Sequence, residues 1–108
     1  MPAVPNAVVV LTTAPTPEVA EQIARALVEA QLAACVNLVP GVRSIYRWQG
    51  EVHDEGELQL VIKTTPGLQA QVLAKLEEVH PYDVPEALVL PTHGGSQAYL
   101  NWIHEVTA

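Results

Sequence analysis

Residues 7–30 read AVVVLTTAPTPEVAEQIARALVEA, and the change of period inside this stretch decides the fold. Ala7 to Thr13 is a β-branched run, too short for a helix and apolar on both faces, as a central strand is. Thr16-Pro17-Glu18 then supplies an N-cap, a first-turn proline and an acid at the positive end of the helix dipole. From there Val19, Ile23, Leu27 and Ala30 recur at helical spacing, so one stripe faces a sheet. Glu21 stands four residues before Arg25, a pairing that suits the exposed side.

The same grammar returns 52 residues later, where Thr64-Thr65 and Pro66 precede a second helix marked by Leu68, Val72, Leu76 and Val79 and ended by His80-Pro81. Between the two helices lies a long extended segment. Val36 and Leu38 alternate, Pro40-Gly41 interrupts as a bulge or bend, and Val42 to Trp48 resumes. Gln49-Gly50 makes a tight turn into a third strand, in which Leu58, Leu60 and Ile62 alternate with Glu57, Gln59 and Lys63. Asp54-Glu55-Gly56 reads as a further irregularity in this hairpin. Ala87 to Leu90 forms a short fourth strand, and Ser96 caps a last helix striped by Tyr99, Trp102, Ile103 and Val106. Two strand–helix–strand units with right-handed crossovers interleave into an antiparallel sheet of order 4-1-3-2, both helices on one face. The expected fold is an α+β, ferredoxin-like βαββαβ sandwich with an extra C-terminal helix, one domain over 1–108. The other sheet face is left bare, so self-association is expected, with Tyr46 and Trp48 as anchors.

Composition narrows the function classes. With 5 lysines plus arginines against 12 acids, the net charge is −7, the wrong sign for tracking a phosphate backbone, and no nucleic-acid partner is expected. No apolar run approaches the roughly 18 residues of a membrane span, so no membrane partner is expected. A single cysteine forms no internal disulfide and the start is not leader-like, which points to the cytoplasm. Only 5% of residues are aromatic and none is Phe, so Val, Leu, Ile and Ala fill the core and the two Trp and three Tyr go to special positions.

Three ordered segments carry a resemblance over nearly the whole chain: Ala33 to Gly41 (AACVNLVPG), Ser44 to Gly50 (SIYRWQG) and His80 to Glu86 (HPYDVPE). Together they resemble the signature segments of the CutA divalent-cation tolerance proteins. The resemblance implies a ferredoxin-like subunit, a homotrimer built like the PII-type signalling proteins, and a link to tolerance of copper and other divalent cations. It implies copper or another divalent metal as ligand and no organic cofactor. The chain departs from the pattern at Leu38-Val39, where isoleucines are more usual, and in having only one cysteine.

The residues themselves leave alternatives open. Cys35 is either a soft Cu(I) ligand or a small core residue, and His80 is either a ligand or acid–base group or a helix-end cap. Topology sets these two at opposite ends of one subunit, so a metal shared by Cys35 and His80 requires a neighbouring chain. Tyr46, Trp48, His80, Tyr82 and Glu86 belong to one end, where an intersubunit cleft combines aromatic, imidazole and carboxylate groups. The leading expectation is a non-catalytic trimeric metal-response protein. Two readings stand beside it: a small trimeric enzyme with His80 as base, and a PII-like adaptor whose hairpin contacts another protein.

Overall fold

A computed structural model describes residues 6–108, so the first five residues of the expected 1–108 domain lie outside the described part. β1 (Val8–Ala14) is the inner strand that holds the sheet together. It pairs antiparallel with β3 (Glu51–Thr64) on one side and β4 (Leu88–Pro91) on the other. β2 (Cys35–Trp48) closes the far edge against β3, giving the order β2-β3-β1-β4, which is the order expected from the two interleaved units.

α1 (Pro17–Glu29) starts where the sequence places it, with the Thr16 hydroxyl accepting from the Val19 N–H. It ends when Gln31 adopts a left-handed φ of 59°. The Leu32 N–H then reaches back to the Leu27 carbonyl and Gln31 to Val28, which satisfies the last turn and turns the chain toward β2. A 3-10 turn at Pro66–Leu68 leads into α2 (Gln69–Val79). Ile23 and Leu27 of α1 and Val72 and Leu76 of α2 close on Val10, Leu60 and Ile62, all within 1% of full burial. Each such side chain contributes about 1.5–3 kcal/mol when removed from water, so this layer dominates the stability of the fold. Both helices therefore cover the face that carries the even-numbered residues of β1 and β3.

α3 (Gln97–Val106), capped by the Ser96 hydroxyl, docks elsewhere. Leu100 and Ile103 form a second cluster with Ala7 and Ala34, and His104 bonds the Asn6 carbonyl at 2.8 Å. This face is therefore not wholly bare, because the last helix covers its end near Cys35 and Lys63. Farther along, Val39 (44% exposed), Leu88 (59%) and Leu90 (45%) remain open on the same side as Leu11 and Val61.

The β2–β3 hairpin decides what else shares that open face. Pairing sums shift by one residue between Val39 and Val42, where Pro40 and Gly41 together oppose Leu58 and Gly41 takes φ +80°. One inserted residue moves every later side chain of β2 to the other face. Ser44, Tyr46 and Trp48 consequently join Cys35, Asn37 and Val39, opposite the helices. The pairing runs without a shift through Asp54-Glu55-Gly56, which corrects the expected irregularity there. Cross-strand partners hold this segment in register, including Arg43, whose Nε lies 2.8 Å from Asp54. Gln49 and Gly50 turn the hairpin with φ of 50° and 81°, the geometry of a two-residue turn matched to strand twist.

Candidate functional site

β1 stops at Ala14, opposite Leu58, while the hairpin runs on from Val42 to Trp48. Seven residues at about 3.3 Å each make an overhang of roughly 23 Å. The segment from His80 to Glu86 crosses beneath it between α2 and β4. A cleft of about 720 Å³ opens between the two, walled by Tyr46, Trp48, Tyr82, Glu57 and Glu86 together with the Pro81–Pro85 loop. Its volume falls in the range that binds small molecules.

Polar bonds fix the floor. His80 is 8% exposed, and its Nε2 sits 2.6 Å from the Thr13 carbonyl while its Nδ1 accepts the Tyr82 N–H at 3.1 Å. With Nδ1 accepting, Nε2 carries the proton and donates. The imidazole thus clamps the end of α2 to β1 and sets the entry of the loop. Its ring also packs on that of Tyr82, with centroids 4.6 Å apart. The Tyr82 hydroxyl donates to Glu57 Oε2 at 2.8 Å, and burial, then this hydrogen bond and the Glu57 charge, push the phenol well above its ordinary value of 10. Gln59 spans the remaining gap, its Nε2 donating to the Thr12 carbonyl at 2.7 Å and to Glu86 Oε2 at 3.2 Å.

The expected cleft residues are distributed as follows. Tyr46, Trp48, Tyr82 and Glu86 line the cavity; His80 lies behind it with both ring nitrogens bonded to backbone, which leaves neither nitrogen free for a metal or for the base of an enzyme. Cys35 pairs with Lys63, whereas Thr13, the partner of His80, pairs with Gln59. Four residues of β3 separate those rungs, about 13 Å, so Cys35 and His80 do not meet within the subunit. The Cys35 thiol is instead 3.8 Å from Lys63 Nζ. Among the described residues no group of three or more His, Cys, Asp or Glu converges on a metal position. Glu57 and Gln59 are not among the expected site residues, because with Lys63 they form a row on an alternating strand that reads as a solvated or interface face. The available signal was the bulge: counting its extra residue brings that row under Tyr46 and Trp48.

Fold and cleft together define a class: a small ferredoxin-like α+β protein with an overhanging hairpin, an open apolar sheet face and a ligand-sized, acidic and aromatic cleft. A model of the CutA1 divalent ion tolerance proteins matches residues 8–106. The divalent-cation tolerance protein CutA of Thermus thermophilus is 52% identical over 99 residues, which is 92% of this chain and 96% of that protein. A solved structure of the divalent cation tolerance protein Cut A1 from Thermus thermophilus superposes with a TM-score of 0.91 at 51% identity, covering 94% of this chain and 99% of that one. The divalent ion tolerance protein CutA1 from Ehrlichia chaffeensis superposes with a TM-score of 0.92 at 31% identity, covering 98% and 99%. The chain belongs to the CutA1 divalent ion tolerance family.

Proposed function

We propose that this chain acts as a homotrimer in the cytoplasmic response to divalent metal ions, copper among them, and that it holds an ion or small ligand in the cleft where subunits meet. The observation that carries this reading is the placement of the cleft and the open apolar strip of Val39, Leu88 and Leu90 on one sheet face. Burying that strip against another copy brings a second chain to the mouth of the cleft. Apolar patches of this kind on a small domain mark interaction surfaces, and closed rings need a heterologous contact, which a protruding hairpin with Tyr46 and Trp48 supplies. A metal site in this arrangement draws ligands from two chains, because one subunit supplies too few. Cys35 remains a candidate soft ligand only if a neighbour brings donors to it.

Sedimentation equilibrium tests the assembly, with one species near three times 11.6 kDa expected. A stable monomer at micromolar concentration would refute it. Calorimetric titration with Cu2+ and Zn2+, and with Cu(I) under reducing conditions, tests the ligand. Binding that survives Cys35→Ser but is lost with Glu86→Gln places the ion in the cleft, and no binding of any metal up to millimolar concentration removes direct metal binding from the proposal.

A further inference from the structure

The lining of the cleft has one sign of charge. Glu57, Asp83 and Glu86 bring carboxylates, Tyr46, Trp48 and Tyr82 bring rings, and among the described residues no lysine or arginine lines it. Glu57 is 9% exposed and spends Oε2 on the Tyr82 hydroxyl; Glu86 spends Oε2 on the Gln59 amide. Both donors are neutral, so neither carboxylate is compensated. The nearest arginines lie on the opposite face of the hairpin, where Arg43 pairs with Asp54 and Arg47 reaches the Gly50 carbonyl. A shielded, uncompensated carboxylate is costly until a cation completes it.

Two kinds of cation differ in what they demand. A hard divalent ion wants about six to eight oxygens, and the described residues bring no such cage together. An ammonium needs one or two acceptors and gains further from aromatic faces. A volume of about 720 Å³ is far larger than an ion requires and fits an organic molecule. We infer that the cleft takes an organic cation, a protonated amine with an apolar body, its ammonium on the Glu57–Glu86 side and its body against Tyr46 and Trp48. The inference rests on the cleft being the binding site of the assembled protein, as proposed above. Tyr82 contributes as a neutral donor that orients Glu57 through its 2.8 Å hydrogen bond, a phenol being protonated at neutral pH.

The test uses the purified, assembled protein and three probes of similar shape: 2-phenylethylamine, 2-phenylethanol and 3-phenylpropanoate. Calorimetry should give one amine per subunit, bound at least tenfold more tightly than the alcohol, with no uptake of the carboxylate. Glu86→Gln should weaken the amine tenfold or more while sedimentation and melting stay unchanged; because Glu86 is the more exposed acid, this variant folds even if Glu57→Gln does not. Equal affinity for amine and alcohol, or an undiminished Glu86→Gln complex, overturns the inference. A crystal structure of the assembly with a neighbouring chain's arginine seated on Glu86 overturns it as well. Cu2+ is titrated into the same preparation as a control on the underlying reading. Metal binding that depends on Glu86 without amine binding sinks the organic-cation inference and leaves the cleft as the site, whereas failure of both ligands sinks both.

Discussion

Replacing His80 with alanine separates a structural clamp from a ligand. In the structure the imidazole is 8% exposed and bonded at both nitrogens, at 2.6 Å and 3.1 Å. Each bond is worth about 1 kcal/mol net, and leaving the Thr13 carbonyl buried without a partner adds about 1–3 kcal/mol. Loss of the ring contact with Tyr82 costs a further 0.5–1.5 kcal/mol or so. Some of these terms overlap, because water entering the hole repairs part of the loss. The expected cost is therefore about 3 kcal/mol, read as a lower urea midpoint at unchanged slope and fixed protein concentration. Two conservative variants divide that cost by atom. His80→Asn would set an acceptor where Nδ1 accepts from Tyr82, and His80→Gln would set a donor where Nε2 meets Thr13, so each should recover about 1 kcal/mol. A loss below about 1 kcal/mol in His80→Ala, or equal stability of all three variants, refutes the clamp. A copper-dependent rise in stability that His80→Ala abolishes would instead make His80 a ligand, since binding to the native state alone adds stability by mass action.

Trp48→Ala should raise the dissociation constant of the assembly by an amount equivalent to about 2 kcal/mol, measured by sedimentation at several concentrations, because large aromatics dominate such contacts. Tyr82 has a folded pKa raised above its unfolded value, so its contribution is fully present below pH 10 and is lost as the pH rises above 10. Stability followed from about pH 9 to 11.5 should therefore fall less steeply in Tyr82→Phe than in the parent. The Thr12 hydroxyl is fully buried and has no hydrogen-bond partner among the described residues; Thr12→Val keeps the shape, removes the orphan and should stabilise by about 1 kcal/mol in urea titrations.

The helices and the sheet order are legible in the chain because each depends on a local signal that tertiary contacts then reinforce. Thr16-Pro17 and Ser96 are caps whose hydroxyls satisfy free N–H groups, and the even positions of β1 and β3 are apolar where they meet α1 and α2. The cleft residues on the hairpin and the His80–Glu86 segment are legible through the family resemblance, and topology alone suffices to place them at one end. What stays hidden are roles decided by partners distant in sequence. His80 looks equally like a cap and a ligand until the Thr13 carbonyl, 67 residues away, is seen to occupy Nε2. Gln59 looks like part of a solvated or interface row until it is found bonding Thr12 and Glu86 at once. The end of the sheet covered by α3 is another such case, since amphipathicity shows that a helix docks but not on which of two faces.

One backbone feature links the two surfaces on which the proposed activity depends. Without the extra residue at Pro40-Gly41, Tyr46 and Trp48 would point to the helix side of the hairpin, and Arg43, Ile45 and Arg47 would take their places beside Glu57. Two guanidinium groups would then neutralise the cleft, and the aromatic wall would lie away from the apolar strip of Val39, Leu88 and Leu90. The bulge thus sets both the charge of the cleft and its position beside the surface proposed to meet another subunit. A ligand that contacts both chains there must bind the assembled state more tightly than the separated one. By thermodynamic reciprocity, the factor by which it favours assembly equals the factor by which assembly favours its binding. If the proposed trimer holds its ligand between chains, ligand occupancy and subunit association form one coupled equilibrium, and saturating ligand should suppress dissociation on dilution.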